Sequence, residues 1–135
     1  IGQGEDEHAI KQQVKELAIE DKIKFLGVRN NVNKLLQGFD LMVFPSLFEG
    51  LSVALLEAQA TGLPIYASDT ISAETKVNDN FTFLSLTQSP AKWADYIYNN
   101  LSKITRDNKA LNNLKSQGFD ISAQVNNFVK LLQRK

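Results

Sequence analysis

The chain has no cysteine, one histidine, one methionine, one tryptophan and three prolines in 135 residues. Without cysteine there is no disulfide framework and no thiolate metal site. A lone imidazole cannot form a histidine metal cluster, and His8 reads as a solvent-facing helix residue. No apolar run approaches the ~20 residues of a membrane span, and no signal peptide opens the chain. A cytosolic domain is the default. Fifteen basic and fifteen acidic residues cancel to a net charge of +0, so there is no basic excess of the kind nucleic-acid binding leaves. Internal repeats, low-complexity tracts and linkers are also absent. The chain has no initiator methionine and opens abruptly on Ile1-Gly2, as an excised piece of something longer would. It does have 43% hydrophobic residues, enough for one domain with a core over residues 1–135.

The most informative stretch is DLMVFPSLFEGLSVALLEAQATGLPIYA, from Asp40 to Ala67. Leu41 to Phe44, closed by Pro45, is a short apolar run without polar alternation, as a parallel strand covered on both faces requires. Pro64 to Ala67 has the same character. Between them Ser52 is placed to cap a helix that carries Val53, Leu55, Leu56, Ala58 and Ala60. Gly62 can take the left-handed position that ends it, and Pro64 forbids continuation. The result is a βαβ unit, whose crossover is right-handed as a rule. The loop Ser46 to Leu51 then lies at the carboxyl end of a parallel strand, where open α/β sheets bind ligands.

Two carboxylates frame that loop. Glu49 lies in it, and Glu57 lies on the helix beyond Ser52. Flanked by Leu55, Leu56 and Ala58, Glu57 has apolar neighbours in sequence and is expected to need a partner, since burying a bare carboxylate is costly. Two readings stay open on spacing alone: Glu57 caps backbone or pairs with a lysine, or both acids accept hydrogen bonds from a ligand's hydroxyls.

PSLFEGLSVALLEAQATGLPI closely resembles the signature of retaining GT-B glycosyltransferases of glycosyltransferase family 4. That signature runs Pro-Ser, a Glu, seven residues, a second Glu, then Ala, a small residue and Gly-x-Pro before a strand. Glu49 and Glu57 match the two acids, and Gly50, Ala58, Gly62 and Pro64 match their neighbours. Leu51-Ser52 departs from the Phe-Gly of many members, and Ser52 still leaves its amide free. The run Ser68-Asp69-Thr70 is similar to the branch found in capsular and exopolysaccharide gene sets. The glycines of the family's Gly-Gly-x-x-Glu pattern are lacking there, while Glu74 is kept.

The rest of the chain alternates in kind. Ile1 to Gly4 reads as the stub of a strand and a Gly-x-Gly turn, in register with the family. Asp6 to Ala18 repeats Ile10, Val14 and Leu17 at helical spacing, and Lys22 to Leu26 reads as a strand ended by Gly27. Val28, Arg29, Asn30 and Asn31 form a loop, and either asparagine could cap the helix Val32 to Gln37. Ser72 to Thr75 would start a short helix, and Phe81 to Leu86 is a strand. Ser89 caps a helix opened by Pro90, with Trp93, Ile97 and Leu101 on one face and Trp93 expected in the core. Arg106 to Gln117 is a polar helix ended by Gly118. A last helix, capped by Asp120 and running from Ile121, has Val125, Phe128, Val129 and Leu132 as its stripe.

Alternating strands and helices predict an α/β fold, a Rossmann-like doubly wound parallel sheet. The resemblance makes it the carboxyl-terminal, donor-binding half of a GT-B enzyme that lacks its first strand. In a 3-2-1-4-5-6 order the absent strands would lie mid-sheet, and this piece alone would be inactive. The resemblance implies that a UDP- or GDP-sugar donor sets its base near Val28, Arg29 and Asn31, and it counts Gly2 and Gly4 among the donor-binding residues. Glu57 would accept from the ribose, and the amides of Leu51, Ser52 and Val53 would hold the diphosphate at a helix N-terminus. Glu49 would hold the transferred sugar as the catalytic-site acid. No cofactor and no metal are expected, since no paired-Asp motif is present. A glycan or lipid-linked acceptor would bind a separate N-terminal domain, which could also bring peripheral association with the inner membrane face. No nucleic-acid partner is expected. The alternative is a non-catalytic nucleotide-binding α/β module. A response-regulator-like domain fits less well, because Asp40 precedes its strand and Asp69 stands alone.

Overall fold

The computed structural model describes residues 1–133, which divide into two compact units, Ile1–Leu35 and the residues from Leu36 onward.

In the first unit, helix α1 spans Glu7–Glu16. Its apolar residues stand at helical spacing, yet only Val14 is buried, while Ile10 and Leu17 are exposed. His8 faces solvent. The expected strand over Lys22–Leu26 does not form, nor does one at Ile1. A strand exists by pairing, and here a single backbone hydrogen bond, from the Gly2 N–H to the Gly27 carbonyl at 2.8 Å, ties the two segments. Helix α2, Val32–Gln37, follows. Asn31 opens it with its carbonyl, which accepts from Lys34 and Leu35. Its side-chain Oδ1 is buried without a hydrogen-bond partner, so the expected side-chain cap is not made.

The second unit is built on three parallel strands in the order β1 (Met42–Phe44), β2 (Ile65–Ser68), β3 (Phe81–Leu84). Met42 pairs with Ile65, and Ile65 with Phe81. All four residues of β2 are buried, as expected for an unalternating apolar strand between two neighbours. Helix α3 (Val53–Ala60) crosses from β1 to β2 and packs against β2 and α5 (Ala110–Ser116). Gly62 ends it at φ +72, and a Cβ there would collide with the Asp107 carbonyl; only glycine suits the position. Helix α4 (Pro90–Asn99) is capped by Ser89, whose Oγ accepts from the Lys92 amide. It drives Trp93 against Tyr66 and Leu84, and the indole N–H donates to the Ser85 carbonyl at 3.0 Å. Trp93 is thus a core residue, as expected.

Arg106 lies outside α5, contrary to the expected helix start. Its guanidinium donates to the carbonyls of Thr61, Leu36, Gln37 and Phe39, so it satisfies backbone acceptors where α2 and α3 end. Asp107 then starts the turn into α5 by accepting from the Lys109 amide. Helix α6 (Ile121–Leu132) is capped by Asp120, which accepts from Ser122 and Ala123. Every residue of α6 is exposed, including the stripe Val125, Phe128, Val129 and Leu132. No described helix is long and apolar enough to cross a membrane.

Candidate functional site

The loop Ser46–Leu51 leaves the carboxyl end of β1 and leads into α3. Its shape is set by hydroxyl groups and one backbone amide from the end of β2 and the segment after it. The Ser46 carbonyl accepts from Ser68 Oγ and from Thr70 Oγ1, the latter at 3.0 Å. The Glu49 carbonyl accepts from the Ser72 N–H at 3.3 Å, and the Gly50 carbonyl from Thr75 Oγ1 at 3.4 Å. In a trans peptide the C=O and the next N–H point opposite ways. Tying the carbonyls of Glu49 and Gly50 to this segment therefore turns the amides of Gly50 and Leu51 away from it.

Helix α3 continues the same arrangement. Ser52 occupies the N-cap in an extended conformation, and its carbonyl accepts from the Leu56 amide at 3.1 Å. The Val53 N–H therefore points back toward the loop. The expected hydroxyl cap is not made: the buried Ser52 side chain gives α3 no capping hydrogen bond. The first turn carries no acidic side chain either. Among the described residues the amides at this helix start thus have no acceptor, and the macrodipole adds roughly half a positive charge there.

Glu49 is partly buried, and its Oε1 accepts from Ser46 Oγ at 3.4 Å. Ser46 Oγ also donates to the Phe48 carbonyl at 3.2 Å, so the carboxylate is held by the turn it belongs to. Leu47 and Phe48, at the tip, are 84% and 82% exposed, an apolar tip that covers nothing among the described residues. Glu57 is exposed rather than set among apolar groups. Leu55 and Ala58 are fully buried, but residues one or two apart on a helix point to different faces. The expected need for a partner therefore falls away. Glu57 lines a shallow groove with Leu56, Leu111, Leu114 and Lys115.

Glu49, Gly50, Leu51, Ser52 and Val53 thus form one continuous element, with Glu57 on the following turn. Val28, Arg29, Asn31, Gly2 and Gly4 belong to the first unit. There Gly2 sits at φ +114, bonded to Gly27, while Val28 and Arg29 are exposed. Gly2 and Gly4 line a groove of 530 Å³ with Asp6, Ile10 and Phe25. Sequence reasoning missed the bracing side chains Ser68, Thr70 and Thr75 and the bracing amide of Ser72; the only signal was an unusual run of hydroxyl residues. It also missed Gln59, which is wholly buried. Gln59 Nε2 donates to the carbonyls of Leu55 and Thr75, and its Oε1 accepts from the amides of Val77 and Asn78. It thereby fixes α3 to the chain that carries the bracing residues.

The chain is 37% identical over 89 residues to EpsF of Bacillus subtilis, named as a glycosyltransferase, covering 65% of this chain and 23% of that one. It is 30% identical over 133 residues to the UDP-Gal:alpha-D-GlcNAc-diphosphoundecaprenol alpha-1,3-galactosyltransferase of Escherichia coli, covering 93% of this chain and 33% of the relative. The chain therefore spans about a quarter to a third of the lengths of these relatives. The crystal structure of Anabaena Alr3699/HepE in complex with UDP matches with a TM-score of 0.70 at 24% identity, over 95% of this chain and 36% of that one. That likeness shows the fold, an α/β unit built on a parallel sheet. The family described as Glycosyl transferases group 1 matches residues 1–119, a span that takes in the loop, both acids and all three strands, and the chain belongs to that family.

Proposed function

We propose that this chain is the donor-binding part of a retaining, metal-independent glycosyltransferase of family 4, acting in capsular or exopolysaccharide biosynthesis. It moves a sugar from a UDP- or GDP-sugar to a glycan or lipid-linked acceptor. The observation that carries this reading is the element Glu49–Val53. It pairs a held carboxylate with backbone amides that lack internal acceptors, at the carboxyl end of a parallel strand. Amides turned outward at a helix start suit a diphosphate, and positioned donors stabilise the negative charge that develops on a leaving diphosphate. Glu49 orients the hydroxyls of the transferred sugar. Glu57, exposed on the next turn, accepts from the ribose. Val28, Arg29 and Asn31 serve the base, and Gly2 and Gly4 belong to the donor-binding residues. The galactosyltransferase relative uses a UDP-sugar and a diphosphoundecaprenol acceptor by its name, and HepE binds UDP; both are the substrate classes proposed here.

The chemistry is tested on the full-length enzyme with its nucleotide-sugar. Proton NMR of the first-formed product should show the anomeric configuration of the donor, and the initial rate should be unchanged in excess EDTA. An inverted product, or activity lost to EDTA and restored by Mg²⁺ or Mn²⁺, overturns the reading.

A further inference from the structure

The opposite end of the sheet from the loop Ser46–Leu51 carries a separate polar hollow. Pro64 and Asn80 stand immediately before β2 and β3, at the amino ends of these strands, whereas Ser46 follows the carboxyl end of β1. A parallel strand of four residues puts roughly 13 Å between the two ends. The hollow encloses 240 Å³. Tyr66 and Thr82 form one wall, and as register partners on neighbouring strands they share a face of the sheet. The other wall is the end of α4, with Tyr96 and Asn100.

Its polar groups are oriented but not saturated. Asn80 Nδ2 donates to the carbonyls of Gly62 at 2.9 Å and Thr105 at 3.4 Å, which settles which way the amide faces. Its Oδ1 is buried and accepts nothing, an arrangement native structures seldom leave unexplained. Asn100 is held from both ends: its Nδ2 donates to the Tyr96 carbonyl at 2.8 Å, and its Oδ1 accepts from Lys103 Nζ at 3.2 Å. The hydroxyls of Tyr66, Tyr96 and Thr82 make no hydrogen bond among the described residues. Burial, with a smaller contribution from Tyr96, pushes the Tyr66 phenol up from its ordinary value, so at neutral pH it remains an O–H donor.

These features select a ligand class. The two phenol rings meet edge to face, with centroids 6.2 Å apart and planes at 75°, and Tyr96 is 44% exposed. A partly open aromatic ring beside unsaturated amide and hydroxyl groups suits a sugar ring. Its C–H face packs on the aromatic surface while its hydroxyls exchange hydrogen bonds with the tyrosines and Thr82. Asp79 and Lys103 on the rim cancel in charge, so the hollow does not favour an anion. The volume lies below the about 300 Å³ at which pockets for drug-sized ligands begin, which suits one ring rather than a nucleotide.

We propose that this hollow is a carbohydrate subsite that holds a single neutral hexose-type ring of a glycan, away from the loop Ser46–Leu51. It does not depend on the donor-binding reading.

The probes are methyl α-D-glucopyranoside, methyl α-D-galactopyranoside and methyl N-acetyl-α-D-glucosaminide, each titrated into the full-length protein. The readout is the side-chain amide NMR signals of Asn80 and Asn100. At least one glycoside should shift both signals with a Kd of about 1 mM, a weak-site affinity. Tyr96→Ala, at a half-exposed position, should weaken this by about fivefold, roughly 1 kcal/mol. Tyr66→Phe keeps the ring in the core, removes only the hydroxyl and should also weaken it. UDP should not displace the glycoside. The proposal is overturned if no glycoside moves either signal, if UDP competes, or if binding in Tyr96→Ala and Tyr66→Phe is as strong as in the parent.

Discussion

Glu49 and Glu57 differ in how the chain holds them, and this difference predicts different jobs. Glu49 is braced in the turn by Ser46 Oγ and by its own carbonyl's bond to Ser72. A carboxylate so fixed can orient a reacting sugar. Losing it should therefore lower turnover more than nucleotide affinity, because the near-attack geometry is lost. Glu57 is exposed on the helix and should act as a simple acceptor. In the full-length enzyme, Glu57→Ala should cost about 1.5–3 kcal/mol of nucleoside-diphosphate affinity by calorimetry, as for a charged hydrogen bond, with a smaller change in saturated turnover. Because Glu57 is not packed in the core, this variant should fold normally. Equal weakening of the bare nucleotide by Glu49→Ala and Glu57→Ala would refute the division of labour.

At the scale of elements, the ends of α2 and α3 depend on one side chain. Arg106 gathers the carbonyls of Leu36, Gln37, Phe39 and Thr61, while the Asp107 amide donates to the Gly62 carbonyl at 3.0 Å. A cation at helix carboxyl ends is also favoured by the dipole. Arg106→Met should lower stability by about 1.5–3 kcal/mol, read as a lower urea midpoint at unchanged slope. Arg106→Lys should recover little, since a single ammonium cannot span four carbonyls as a planar guanidinium does. A variant as stable as the parent would show that these bonds are readily replaced by solvent.

At the scale of the whole chain, the apolar core is unevenly shared. Of the buried apolar residues, Val14 alone belongs to Ile1–Leu35; Leu55, Ile65, Phe81, Trp93 and the others lie beyond it. Local opening costs least where few apolar contacts are broken. In the 135-residue chain, hydrogen exchange should therefore be fast throughout α1 and slowest for the amides of β2, a strand with a partner on each side. Protection in α1 equal to that of β2 would show that the two units open together.

Much of this protein is a local matter. The strands β1, β2 and β3 were legible, although coverage on both faces holds for β2 and not for β1, where Val43 is 46% exposed; so were the caps Ser89 and Asp120, the stop at Gly62 and the core role of Trp93. Each follows from short-range sterics, periodicity or a hydrogen bond within one turn of the residue concerned. The family was legible too, because its signature is a contiguous stretch. Other features needed the third dimension. Lys22–Leu26 has the composition of a strand, but pairing is a relation between segments, and the described chain supplies no ladder for it. Glu57 has apolar neighbours along the chain and solvent around it, because helical geometry separates the two. The loop at Ser46–Leu51 takes its shape from hydroxyls 22 to 25 residues away, and Gln59 bonds to backbone 16 to 19 residues on. Arg106 reaches back 45 to 70 residues. Such partners are chosen by where the sheet and its crossovers bring the backbone, and so only the tertiary structure decided which residues brace the site.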